Sequence, residues 1–167
     1  MQEYVKPILV FTWGNPSRGD DALGPEVFDR LSQEKLTGVD LLTDFQLQIE
    51  HAIDLESRQT VLFIDASANA KPPFEFYALS PSEDHSYTTH AMSPQALLAV
   101  YNKINHQPQP EAFMLSIRGY EFGLGLPLSS GAAANLSEAI AFIRQLLTNT
   151  QVEDWSQLAT GQTRPIG

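Results

Sequence analysis

Apolar residues fall in short runs separated by amphipathic stretches along this chain. Ile8-Leu9-Val10-Phe11-Thr12-Trp13 is a continuous, β-rich apolar run that stops at Gly14-Asn15-Pro16, the pattern of a strand covered on both faces. After the polar loop Ser17 to Asp21, the residues Leu23, Val27, Phe28 and Leu31 recur at helical spacing with Pro25 in the first turn, which predicts a helix from about Gly24 to Gln33. Val39 to Thr43 predicts a second strand, and Ile49, Ile53 and Leu55 predict a helix near Gln48 to Glu56. Thr60 to Asp65 is a third strand ending in a carboxylate, and Phe74 to Ala78, after Pro72-Pro73, alternates as an edge strand does. Ser93-Pro94 opens a helix through Tyr101, His106 to Pro110 is a turn, Phe113 to Ile117 is a further strand, and Leu136 to Leu147 is the clearest amphipathic helix.

Strands alternating with helices imply right-handed crossovers and a mostly parallel sheet, because a right-twisted strand packs its crossover helix back onto the sheet that way. The expected fold is α/β: a three-layer α/β/α sandwich around a twisted sheet of about five strands. Residues 1–150 are expected to form one domain, and residues 151–167, polar and poorly periodic, a C-terminal tail.

Composition narrows the function. At 167 residues the chain fits one hydrophobic core. No apolar run approaches the roughly 20 residues needed to cross a bilayer, so a membrane protein is not expected. Met1 to Pro7 has no basic region followed by a long apolar stretch, and a cytoplasmic location is expected. The chain has no cysteine, which excludes disulfides, thiolate zinc sites, iron–sulfur clusters and cysteine nucleophiles. Its formal charge of −10 would repel a phosphate backbone, so no nucleic-acid partner is expected. An acidic surface suits a basic protein partner or a cation, and equally serves only solubility.

Ligands in open parallel sheets bind beyond the carboxyl ends of the strands, at the crevice where strand order reverses. Three segments should converge there: Gly14-Asn15-Pro16-Ser17-Arg18-Gly19-Asp20-Asp21 after the first strand, Asp65 at the third, and Ser86-Tyr87-Thr88-Thr89-His90 after the edge strand. The first loop lacks the G-x-G-x-x-G spacing, and Asp20-Asp21 would set two negative charges where a pyrophosphate should lie. Asp21, Asp65 and His90 form an O, O, N set suited to nickel, zinc or manganese, since imidazole favours a transition metal over calcium. Each also has a plainer role: Asp20 or Asp21 as a helix cap, Asp65 as an acceptor of loop amides, His90 as an exposed loop residue.

These segments resemble the hydrogenase maturation proteases, which remove the C-terminal peptide of a [NiFe]-hydrogenase large subunit after nickel insertion. Gly14-Asn15 followed by Asp20-Asp21-Ala22-Leu23-Gly24 is similar to that family's G-N-x-x-x-x-D-[DE]-x-x-G signature. Phe63-Ile64-Asp65-Ala66 resembles its strand-terminal aspartate, and Thr88-Thr89-His90-Ala91-Met92-Ser93 resembles the segment carrying its histidine. The resemblance spans roughly Ile8 to Leu147 and implies that residues 1–150 are a peptidase domain. It also implies that Asp21, Asp65 and His90 are catalytic and metal-binding, with nickel presented by the substrate, the large-subunit precursor. Asn15, Asp20 and Asp44 become substrate-recognition candidates; Phe45 stands where the family has glycine, and Gln46-Leu47-Gln48-Ile49-Glu50-His51 resembles the branch serving soluble multi-subunit hydrogenases. His51 itself is expected on a helix surface. No G-x-S-x-G elbow offers a serine nucleophile, so metal-gated recognition with carboxylate-assisted attack of water is the expected chemistry, against a non-catalytic nickel chaperone or a metal hydrolase of small molecules.

Overall fold

A computed structural model describes residues 5–82, 92–148 and 152–159. Five strands, β1 (Ile8–Trp13), β2 (Val39–Asp44), β3 (Thr60–Ser67), β4 (Phe74–Ala78) and β5 (Glu111–Arg118), form one sheet in the order β2-β1-β3-β5-β4. All neighbours pair in parallel except β4, which runs antiparallel along the edge of β5. The three nearly continuous apolar runs therefore occupy the interior as β1, β3 and β5, because a strand apolar on both sides needs a layer over each face. Strand order reverses between β1 and β3, so the crevice for a ligand opens beyond their carboxyl ends.

Alternate residues of each strand feed two separate cores. Val10, Leu62, Ile64, Phe113 and Leu115 pack with α1 (Leu23–Leu31), α3 (Ser130–Thr148) and Trp155 of α4 (Val152–Leu158). Leu9, Phe11, Trp13, Val61, Phe63 and Met114 pack on the other face with α2 (Pro94–Ile104) and a 3₁₀ helix, Ile49–Leu55. The sandwich is thus complete, and each fully covered Leu, Ile or Phe contributes about 1.5–3 kcal/mol relative to an exposed one. Helix α2 is capped by Ser93, whose hydroxyl accepts the Ala96 N–H at 3.1 Å, with Pro94 pre-set in the first turn.

Two expectations need correction. The segment expected to be a polar tail carries α4, whose Trp155 is only 1% exposed and donates its indole N–H to the Leu146 carbonyl at 3.0 Å. One aromatic residue anchors a seven-residue helix here, too short for a periodic signal. The Trp155 ring meets Phe113 edge-on at 5.4 Å, so Trp155→Ala is expected to lower the unfolding free energy by about 3–5 kcal/mol, read from denaturant midpoints. A loss under 1 kcal/mol would mean that α4 is not part of the core.

The second correction concerns the segment after β2. Read as an α-helix it should turn Ile49 and Ile53 inward; as a 3₁₀ helix it buries Ala52 and Leu55 and leaves Ile49 53% and Ile53 64% exposed. Three residues per turn align positions three apart, and Ala52 and Leu55 are such a pair.

Candidate active site

A row of polar side chains crosses the carboxyl edge of the sheet. Asp44 of β2 pairs with Trp13 of β1, Asp65 lies one step beyond the Thr12–Ile64 pair, and Asp65 pairs in turn with Ser116 of β5. Cross-strand neighbours share a face, and this row faces the side covered by α2 and the 3₁₀ helix Ile49–Leu55. Asp65 sits two residues before the end of β3 rather than at its tip.

The loop after β1 is shaped by close backbone approach. Gly14 has φ of 150°, and a Cβ there would lie 2.0 Å from the Asp21 carbonyl oxygen, so only glycine fits. Its neighbour Asn15 donates its backbone N–H to Asp21 Oδ2 at 2.7 Å, while the Asn15 side-chain oxygen accepts the Ser17 N–H at 2.9 Å. Asn15, a recognition candidate by sequence, thus orients Asp21 and closes an Asx turn. Gly24 lets α1 approach β1: a Cβ on it would stand 2.3 Å from the Trp13 carbonyl oxygen.

The adjacent carboxylates of this loop have different surroundings. A 3₁₀ helix, Gly19–Ala22, directs Asp20 inward, where it is 0% exposed, and leaves Asp21 half-buried at the edge. Asp20 accepts the N–H groups of Tyr120, Glu121 and Ser129 and the Ser129 hydroxyl at 2.7–3.0 Å. Desolvation by burial pushes its pKa up, and these hydrogen bonds outweigh it, so the carboxyl lies below its ordinary value. Asp20, expected from the sequence to contact substrate, is corrected to a clamp between the loop after β1 and the β5–α3 connection, because no face of it reaches solvent.

Asp65 is shifted the other way. Burial, followed by the negative charge of Asp21, raises its pKa to about 8, against the opposing pull of the Ala66 N–H and the Trp13 side chain. The Ala66 N–H donates to Asp65 Oδ1 at 2.8 Å. Asp21 follows β1 and Asp65 lies near the end of β3, the two strands that flank the switch point. A half-buried carboxyl that holds its proton near neutrality beside a second carboxylate fits a site that exchanges the proton for a cation. Among the described residues no third His, Asp or Glu completes a metal-sized cluster. His90 lies outside the described residues.

Asp44, at the far end of the row, retains 37% side-chain exposure and receives the Nε2 nitrogen of His51 at 3.1 Å. The expectation of a surface histidine is corrected: the His51 side chain is 13% exposed and its ring stands edge-on to Phe11 at 4.5 Å. The capping geometry of the 3₁₀ helix brings it in, since His51 Nδ1 accepts the Gln48 N–H at 2.8 Å.

No protein-family model matches the sequence, and no curated protein does. Solved structures match across most of both chains. A [NiFe] hydrogenase maturation protease, HycI, from Thermococcus kodakarensis has 21% identity and a TM-score of 0.65, covering 86% of this chain and 94% of its own. The maturating endopeptidase HybD from E. coli has 18% identity and a TM-score of 0.68, covering 86% and 93%. A hydrogenase 2 maturation peptidase from a Thaumarchaeota archaeon has 26% identity and a TM-score of 0.62, covering 86% and 99%. The chain has the fold of the [NiFe] hydrogenase maturation proteases, with its carboxylate pair at the switch point of that fold.

Proposed function

We propose that the chain is a cytoplasmic hydrogenase maturation endopeptidase that removes the C-terminal extension of a nickel-loaded [NiFe]-hydrogenase large subunit. The observation that carries the reading is the coupled pair Asp21 and Asp65 at the β1–β3 crevice, in a fold whose solved neighbours are maturation proteases. Nickel arrives as part of the substrate. Asp21 and Asp65, with His90, complete its coordination, two hard oxygens and a borderline nitrogen. A charged precursor metal expels the proton from Asp65, so docking is tied to metal insertion.

Cleavage then needs a base beside the scissile bond. A carboxylate of the pair takes a proton from water as the water oxygen bonds to the peptide carbonyl carbon. The proton passes to the leaving nitrogen as the C–N bond breaks, giving a new carboxyl end on the large subunit and a free amine on the released peptide. The protein substrate suits the open edge of a sheet. No described helix is long and apolar enough to cross a membrane.

The test is incubation of the purified protein with nickel-loaded and nickel-free precursor, with product masses read by mass spectrometry. The loaded precursor alone should shorten, and Asp21→Ala should abolish shortening while circular dichroism stays native. Equal cutting of both precursors would refute nickel gating. Nickel-dependent binding without any cutting would instead establish the chaperone reading.

A further inference from the structure

The 3₁₀ helix after β2 contains an arrangement that the proposed chemistry does not use. His51 Nδ1 accepts the backbone N–H of Gln48, so that nitrogen is unprotonated and the ring hydrogen resides on Nε2. From there the ring donates to Asp44 Oδ2, while Asp44 Oδ1 accepts the Phe45 N–H at 2.7 Å. Both oxygens of Asp44 are thereby held by hydrogen bonds, and the carboxylate, still 37% exposed, stands at the end of β2 in register with Trp13, one strand away from Asp65. The ring also packs edge-on against Phe11, a side chain of the core beneath β1, at 4.5 Å between centroids. A flexible surface carboxylate loses rotamer freedom when it binds a partner, and a carboxylate already held loses less.

The geometry points to His51 as a positioning residue for substrate recognition: as its Nε2–H tautomer it holds Asp44 at the rim of the crevice, ready to accept a hydrogen bond from the protein substrate. This rests on the endopeptidase reading above. A purely structural role for His51 is distinct, because the cap to Gln48 uses Nδ1 and the hold on Asp44 uses Nε2. Two substitutions separate these nitrogens. In His51→Asn the side-chain oxygen replaces Nδ1, keeping the cap and dropping Asp44. In His51→Gln the side-chain amide replaces Nε2, keeping Asp44 and dropping the cap.

Steady-state cleavage of the nickel-loaded precursor should show KM raised about tenfold in Asp44→Asn and His51→Asn with kcat near wild type, the signature of a lost ground-state contact. His51→Gln should stay near wild type in KM, although its thermal midpoint falls. The double variant Asp44→Asn/His51→Asn should be no worse than Asp44→Asn, since both changes remove one contact. His51→Gln impaired as badly as His51→Asn would overturn the proposal, as would an unchanged KM in Asp44→Asn. If wild type cuts nothing, the endopeptidase reading fails by itself, and precursor dissociation constants for the same variants decide the role of His51. Weakening in Asp44→Asn and His51→Asn alone supports it, and any other order overturns it.

Discussion

Asp65→Asn should abolish precursor cleavage, lowering kcat/KM by more than about 100-fold, while making the stability of the protein less dependent on pH. The first half follows from position. Asp65 is the carboxylate that burial and the neighbouring Asp21 poise near neutrality, and an amide in its place neither takes a proton from water nor gains charge when nickel arrives. The second half follows from linkage. The folded-state pKa, about 8, lies above the ordinary value of 3.8, so between those values the folded protein binds a proton that the unfolded chain has lost. Its contribution is fully present below the ordinary value and disappears as pH rises through about 8. Wild type should therefore lose stability across that window, and Asp65→Asn should lose less of it. Chemical denaturation from pH 4 to 9, beside cleavage assays, measures both; a variant that cuts normally would remove Asp65 from the chemistry, and parallel stability curves would remove the buried proton.

How far the sequence reveals this arrangement depends on how each residue is buried. β1, β3 and β5 are legible because strands covered on both faces must be nearly continuously apolar, and the run that ends at Gly14 points to where the crevice lies. The family resemblance directs attention to Asp21 and Asp65 before any geometry is known. It does not distinguish Asp20 from Asp21: adjacent carboxylates look alike until a 3₁₀ turn sends one inward and leaves the other at the edge. His51 is illegible for a related reason. Its place depends on the 3₁₀ form of Ile49–Leu55, and apolar residues at 49, 53 and 55 suggest the α-helical period instead. Trp155 is one residue in a polar segment, and only its burial between Phe76, Phe113 and Leu146 shows that the core continues there.

Asp20→Ala should cost the protein more than about 3 kcal/mol. Its carboxylate is the shared acceptor for three backbone N–H groups, at Tyr120, Glu121 and Ser129, and for a hydroxyl that also caps α3 by accepting the Ala132 N–H. Each N–H left buried without an acceptor costs about 1–3 kcal/mol, and alanine supplies none. Asparagine supplies one oxygen and sets an NH₂ group against the remaining donors, so Asp20→Asn should fall between alanine and wild type. The pH dependence runs opposite to that of Asp65. Burial alone would raise the pKa of Asp20, but the hydrogen bonds from Ser129, Tyr120 and Glu121 hold it below the ordinary 3.8. Its stabilisation is thus fully present above that value and is lost as acid carries the pH down through the folded-state pKa. Wild type should lose stability on acidification below about pH 4, whereas Asp20→Asn should lack that component. The β5–α3 connection is held to the Asp21 loop through this residue, by the Asp20 N–H to Glu121 carbonyl bond of 2.7 Å as well as by its side chain. Amide hydrogen exchange in residues 119–129 should accordingly rise in Asp20→Ala well above exchange in the central strands. Unchanged protection there, or equal stability of all three proteins at neutral pH, would show that the clamp does not form.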